Sequence, residues 1–317
     1  MNLSVVMPVY NEEECLEPLT RELISVMQPL GNDYEIIIVD DGSTDRTYPI
    51  LTNIHTHDPQ VKVLSLKRNF GQTAALAAGI DYAKGDVIVF IDGDGQNDPK
   101  DIPMLVDKIR EGFDLVSGWR YHRQDSFWNR RLPSQIANGL ISWLTKVKLH
   151  DYGCTMKAIR GDLAKEIKLY GEMHRFIPVI AYERGARIAE VKVNHRIRQG
   201  GKSKYGLVRT FRVILDLLTV KFLLSYATRP LHVFGLIGLL SGGVGFLLCL
   251  YLTVQKIIYG ADIGGRPLLL LAILLILIGF QFITMGLLGE MLARTYHESQ
   301  GKPIYVIKAI LDKGKIT

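Results

Sequence analysis

Two stretches of this chain run without a formal charge for longer than most soluble helices. Leu231 to Gln255 covers 25 residues and Pro267 to Gly289 covers 23, with no Asp, Glu, Lys or Arg in either. A helix needs ~20 apolar residues to cross a bilayer core, so both are expected to span. The short link between them, Lys256 to Arg266, makes them a hairpin. That link holds two cations, Lys256 and Arg266, whereas Arg294, Lys302, Lys308, Lys313 and Lys315 follow the second span. Eight Lys or Arg against one acid, Asp216, lie between Arg196 and Pro230, so the net charge of +6 gathers at one junction. Cations concentrate on the cytoplasmic side of spanning helices, which puts both termini there. Gly235, Gly238, Gly242, Gly243 and Gly245 crowd the first span and permit close packing within or between subunits. A homo-oligomer through the transmembrane helices is thus an expectation.

Ahead of the hairpin, Leu207, Phe211, Ile214, Leu215, Leu218 and Phe222 fall on one helical face, with Arg209, Arg212, Asp216 and Thr219 opposite. An apolar stripe facing arginines suits a helix lying in the membrane interface. The first half is different: apolar strand runs alternate with helical stretches. Strands are expected at Leu3 to Val9, Tyr34 to Val39, Val61 to Leu66, Val87 to Ile91 and Asp114 to Ser117. Asn11 reads as an N-cap, a helix begins near Thr44, another runs from Gln72 to Lys84, and Asp98-Pro99 opens a fourth. Such alternation predicts an α/β fold with a mostly parallel sheet and helices on both faces.

Ligands of such sheets bind at the carboxyl ends of the strands. Three of these ends carry polar clusters: Tyr10-Asn11-Glu12, Asp40-Asp41-Gly42-Ser43 and Asp92-Gly93-Asp94-Gly95-Gln96. Asp92 and Asp94, two apart on extended backbone, point to one side, and converging carboxylates favour a hard cation, Mg²⁺ or Mn²⁺. A simple Asp-Gly turn is the bland alternative for that stretch taken alone. Neither GxGxxG nor GxxxxGK[ST] occurs, so a metal would have to neutralise any bound diphosphate. The three cysteines, Cys15, Cys154 and Cys249, form no disulfide or zinc pattern.

Seven segments in order resemble the family 2 inverting glycosyltransferases of GT-A fold. They are Val6-Met7-Pro8-Val9-Tyr10-Asn11-Glu12-Glu13, Ile38-Val39-Asp40-Asp41-Gly42-Ser43-Thr44-Asp45, Arg68-Asn69-Phe70-Gly71-Gln72, and Asp92 to Gln96. Asp151-Tyr152-Gly153-Cys154, His174-Arg175-Phe176-Ile177-Pro178 and Gly201-Lys202-Ser203-Lys204-Tyr205 complete the set. The likeness is to the polyprenyl-phosphate branch: dolichyl-phosphate mannose synthases, bacteroprenol glucosyl transferases and undecaprenyl-phosphate aminoarabinose transferases. It implies a GT-A Rossmann-like catalytic domain over residues 1–205, an amphipathic juxtamembrane segment over 206–228, the two spans within 229–293, and a basic cytoplasmic tail over 294–317.

By position, the resemblance implies that Pro8, Tyr10, Glu12, Val39, Asp41, Asp92 and Gly93 line the nucleotide-sugar. Asp92, Asp94 and Gln96 would hold Mg²⁺ or Mn²⁺ on the diphosphate. Arg120, Arg131, Arg198 and Lys204 would contact a lipid phosphate, and Asp151 would orient the acceptor or act as a base. Where the family usually has Asp-Ala-Asp this chain has Gly93, which is expected to loosen the backbone between the two carboxylates.

The implied reaction is transfer of a sugar, with inversion, from a UDP- or GDP-sugar to a membrane polyprenyl phosphate. No nucleic acid partner is expected. A non-catalytic nucleotide-sugar sensor on a membrane anchor is the alternative of another class. A processive polysaccharide synthase is a weaker one, since none of Trp119, Trp128 and Trp143 follows a Gln-x-x-Arg.

Overall fold

The computed structural model describes residues 2–31, 33–121, 142, 145, 147–169, 173–196, 230–260, 262–263, 267–299, 304–312 and 315–316. The chain forms two compact units, Met1–Leu217 together with Pro303–Thr317, and Leu218–Lys302. The juxtamembrane segment 206–228 lies outside the described residues, as do Arg131, Arg198 and Lys204.

In the first unit the elements run β1 (Leu3–Val9), α1 (Leu16–Met27), β2 (Tyr34–Asp40), α2 (Thr47–His57), β3 (Val61–Leu66), α3 (Gln72–Tyr82) and β4 (Val87–Phe90). They continue with α4 (Ile102–Arg110), β5 (Leu115–Arg120), β6 (Lys157–Arg160), α5 (Gly161–Glu166), α6 (Ile177–Glu183) and β7 (Ile188–Val193). After the second unit, β8 (Ile307–Asp312) and β9 (Lys315–Ile316) complete one nine-stranded sheet of order β7-β5-β6-β4-β1-β2-β3-β8-β9.

The centre, β4-β1-β2-β3, is parallel as the strand–helix alternation requires, while β6 and β8 flank it antiparallel. Alternation along β1 serves both faces. Leu3, Val5, Met7 and Val9 join a core with Leu16, Leu23, Leu51 and Leu105, and Val6 turns to the α3 face. Strand order reverses between β1 and β4, the topological switch point where such sheets open a crevice.

Two local expectations change. Asn11 does not cap α1: it sits at φ 55°, and its Oδ1 accepts the Thr44 N–H at 2.8 Å, while the helix starts four residues beyond Glu12. An Asn side chain makes that left-handed conformation tolerable and ties the β1 end to the β2 end. The segment read as a basic tail supplies β8, which pairs with β3 along Val63–Leu66.

The second unit holds α7 (Pro230–Tyr259) and α8 (Pro267–Ser299). Both are long and apolar enough to cross a membrane, over Phe234–Tyr259 and Pro267–Gly289. They pack along glycines: a Cβ at Gly238 would stand 2.6 Å from the Gly279 carbonyl oxygen, so a larger residue would force the helices apart. Much of the crowded glycine face is thus used within the hairpin. Leu239, Ile257 and Leu270 point outward.

Candidate active site

The carboxyl ends of β1, β2 and β4 are adjacent, and the backbone there is heavily cross-tied. Pro8 pairs with Val39, the Asp41 N–H donates to the Val9 carbonyl at 2.9 Å, and the Asn11 N–H donates to Ser43 Oγ at 3.0 Å. The Glu12 N–H donates to Thr47 Oγ1 at 3.1 Å. Pro8, Tyr10, Glu12, Val39 and Asp41 therefore gather at one edge of the sheet. Asp41 is buried, and its two carboxylate oxygens accept the N–H groups of Phe70 at 2.8 Å and Gly71 at 2.9 Å. That clamp fixes the start of α3. Burial pushes the Asp41 carboxyl above its usual range despite the two bonds.

One strand over, Asp92, Gly93, Asp94 and Gln96 leave β4. The Gln96 N–H donates to Asp94 Oδ1 at 3.1 Å, and the Gln96 carbonyl accepts from Arg196 N at 2.8 Å. Arg196 in turn pairs with Glu22 at 2.7 Å and with Asp98 at 2.6 Å, so this member of the basic junction is spent on holding the loop. Gly93 does not act by looseness. A Cβ there would overlap Val9 Cγ1 and lie 3.1 Å from the Pro8 carbonyl oxygen, so glycine lets the loop press onto β1.

Asp92 Oδ1 accepts from Gln72 Nε2 at 2.7 Å, and Thr155 donates to the same carboxylate. Burial, and then the charge of Asp94, push the Asp92 carboxyl up to about 6. Among the described residues no three His, Cys, Asp or Glu side chains cluster for a metal. Two repelling carboxylates and one amide oxygen are nonetheless the partial, all-oxygen set that Mg²⁺ or Mn²⁺ takes when phosphates and water fill its other positions. The residues fit a divalent cation brought in with a diphosphate.

Arg120 ends β5 and meets Asp151 in a two-pronged ion pair, Nε to Oδ2 at 2.7 Å and NH2 to Oδ1 at 2.9 Å. The Gly153 N–H also donates to Asp151 Oδ1, at 3.1 Å. Burial works against the Arg120 charge, but Asp151 outweighs it and raises the guanidinium's pKa. The third guanidinium nitrogen, NH1, makes none of these bonds, and the cation is close enough to act on Asp92.

Gln72 and Lys157 are members that sequence reasoning passed over. Gln72 closes a segment already singled out, at the first position of α3. Lys157 begins β6, a strand whose single buried charge was its available signal.

The glycosyl transferase family 2 model matches residues 4–168. A dodecaprenyl-phosphate galacturonate synthase from Rhizobium johnstonii is 47% identical over 98% of this chain and 94% of its own. An undecaprenyl-phosphate 4-deoxy-4-formamido-L-arabinose transferase from Shewanella sediminis is 38% identical over 98% and 92%. Among solved structures, glucosyl-3-phosphoglycerate synthase from Mycobacterium tuberculosis, in complex with Mn²⁺ and UDP-glucose, superposes with a TM-score of 0.55. It is 22% identical, over 69% of this chain and 78% of that one, a likeness of fold. The parallel core with its switch point, the family model and relatives that match almost end to end agree: this chain belongs to glycosyl transferase family 2.

Proposed function

We propose that this chain moves a sugar from a UDP- or GDP-sugar to the phosphate of a membrane polyprenyl lipid, with inversion at the anomeric carbon. The observation that carries this is Arg120, tied by Asp151 and placed beside Asp92, with NH1 outside that ion pair and, among the described residues, open to an anion. Both relatives described above are named for polyprenyl-phosphate products, which supports the acceptor class.

Pro8, Tyr10, Glu12, Val39, Asp41 and Gly93 shape the nucleotide side of the crevice. Asp92, Asp94 and the Gln96 side chain would hold Mg²⁺ or Mn²⁺. Bound there, the cation would supply Lewis-acid stabilisation of the departing diphosphate. The acceptor is a phosphate, largely ionised at neutral pH because its second pKa is ~6. It needs aim more than deprotonation, and Arg120 supplies that aim. Asp151, with both oxygens occupied by Arg120 and Gly153, positions the arginine rather than taking a proton. Arg131, Arg198 and Lys204 remain the further phosphate contacts that the family pattern suggests.

Topology supports a membrane setting with one working side. Because β8 pairs with β3, the chain after the hairpin returns to the sheet it left, as two spans require. The flanking cations then make that side cytoplasmic.

Membranes containing the protein, given Mn²⁺, polyprenyl phosphate and a panel of labelled UDP- and GDP-sugars, test the reading. Label extracted with lipid and released by mild acid as free sugar is expected with one donor. Donor binding without lipid label from any donor would leave a sensor instead. The relatives differ in their sugar, galacturonate in one and formamido-arabinose in the other, so the sugar has to be read from this chain's own residues.

A further inference from the structure

Gln72 closes the Arg68–Gln72 segment, though its side chain has no part in the transfer reaction above. It opens α3, and its Nε2 donates to Asp92 Oδ1 at 2.7 Å from 20 residues away. The amide has to present its nitrogen here, because its oxygen would face a carboxylate oxygen.

The donor stands on a rigid mount. Asp41 grips the two preceding N–H groups, those of Phe70 and Gly71, and the Gly71 carbonyl accepts from Ala74 and Ala75. Thr73, the next residue, bonds His174 at 2.7 Å. Further along, Gly79 brings α3 so close to β1 that a Cβ there would overlap Val6 Cγ1. A donor on such a frame holds its partner to a fixed geometry.

Asp92 is a group that needs holding. Its charge and that of Asp94 repel, so the two carboxylates favour turning apart unless a cation lies between them. One change of side-chain torsion is enough to aim a carboxylate away from a metal. Gln72 and Thr155 both donate to Asp92. A carboxylate accepts at about four lone-pair positions, so two donors fix its direction and leave positions for a metal. Both donors are neutral. A cation bonded in the same place would compete with the metal for the Asp92 charge.

We propose that Gln72 is a positioning residue of the metal site, a neutral donor that holds Asp92 toward Asp94 so that both carboxylates meet one cation. This rests on the metal site and transfer reaction proposed above, and adds a residue outside the ligand set. Removing a donor that stands behind a metal ligand typically costs about 10- to 100-fold in affinity.

The test titrates Mn²⁺ into the full-length protein in nanodiscs, with and without UDP or GDP, and follows the free-ion EPR signal. Gln72→Met keeps the length of the side chain and removes the donor; Mn²⁺ affinity should fall about tenfold. Gln72→Lys restores a donor but brings a charge, and should lose about 100-fold. With polyprenyl phosphate and the labelled donors, excess Mn²⁺ should return Gln72→Met to within about twofold of the wild-type kcat. Unchanged Mn²⁺ affinity in folded Gln72→Met would overturn the assignment and leave sugar transfer standing. A loss of kcat that excess Mn²⁺ does not repair would put Gln72 against the substrate and overturn it too. No Mn²⁺ binding by the wild type under either condition would remove the metal site and this role with it. Weakened Mn²⁺ binding in the variants, with no lipid label from any donor in the wild type, would sink the transfer reaction and keep the positioning role. Should Gln72→Met not fold, Gln72→Lys decides alone, and an affinity at or above the wild type's overturns the assignment.

Discussion

Each end of the parallel strands holds a buried lysine, and the two are kept in opposite ways. At the amino end Lys62 reaches Glu35 at 2.8 Å and Asp312 at 3.4 Å. Glu35 also accepts from Ser4 Oγ and from the Lys84 N–H, both at 2.6 Å. At the carboxyl end Lys157 has one acceptor among the described residues, the Cys154 carbonyl. Burial lowers both ammonium pKa values, but Glu35 and Asp312 reverse the direction for Lys62, and nothing does so for Lys157. The first cluster is matched in charge, with Asp312 Oδ1 alone lacking a partner among the described residues, and it joins β1, β2, β3 and β8 into one sheet. The second holds the repelling carboxylates Asp92 and Asp94, which a cation would satisfy. A polar cluster whose charges are matched holds a fold together; one whose like charges repel is poised to bind.

The sharpest way to break this contrast is at the carboxyl end. Asp94→Ala should lower sugar transfer about 1000-fold, as loss of a group that stabilises transition-state charge does. The melting temperature should hold, since the residue carries no part of the core. Near-normal transfer by the folded variant would remove Asp94 from the metal site. At the amino end the expectation inverts. Lys62→Met strands Glu35, whose side chain is 12% exposed, and should cost about 3 kcal/mol in a denaturant titration. Turnover per folded molecule should not change; if it falls while stability holds, the two ends are not divided as described.

Asp151→Asn sharpens the carboxyl end further. With its charge gone, Arg120 loses its two-pronged partner, and transfer should fall about 100-fold. A positioning residue leaves the shape of the pH–rate profile intact. Disappearance of its alkaline-rising limb in the variant would make Asp151 a base after all.

The parallel core was legible because β1 to β4 are apolar runs buried on both faces, and their polar ends mark the crevice. Lys157-Ala158-Ile159-Arg160 and Ile307 to Asp312 are short and flanked by charge, so no periodicity marks them as strands. Their partners lie far along the chain: Ile159 pairs with Ile88, and Ile310 with Leu64. The Arg120–Asp151 pair was visible as two candidates but not as one device, because 31 residues separate them.

Gly93 shows the same limit at a single position, since what matters is the distance to Val9. Gly93→Ala should destabilise by about 2 kcal/mol through overpacking. Val9→Ala in the same chain should recover part of it, and a double-mutant cycle with no coupling would refute the contact.

The smallest effect is the most direct reading of the repelling carboxylates. Asp92 titrates near 6, above the usual carboxylate range, because burial and Asp94 disfavour its charge. A raised carboxyl pKa means that the folded protein binds this proton more tightly than the unfolded chain. In metal-free protein, stability should therefore rise as pH falls from 7.5 through 6, by on the order of 1 kcal/mol. Glu35, held below its ordinary value by Lys62 and Ser4 against the cost of burial, acts oppositely: its contribution is present above about pH 4.5 and is lost in stronger acid. Metal binding competes with the Asp92 proton, so Mn²⁺ affinity should fall about tenfold per pH unit below 6 and stay level above it. Thermal melts with and without Mn²⁺ across this range measure both effects. Flat Mn²⁺ affinity from pH 5 to pH 7.5 would mean that Asp92 is not a ligand, and that the unmet charge at the carboxyl end serves something other than a cation.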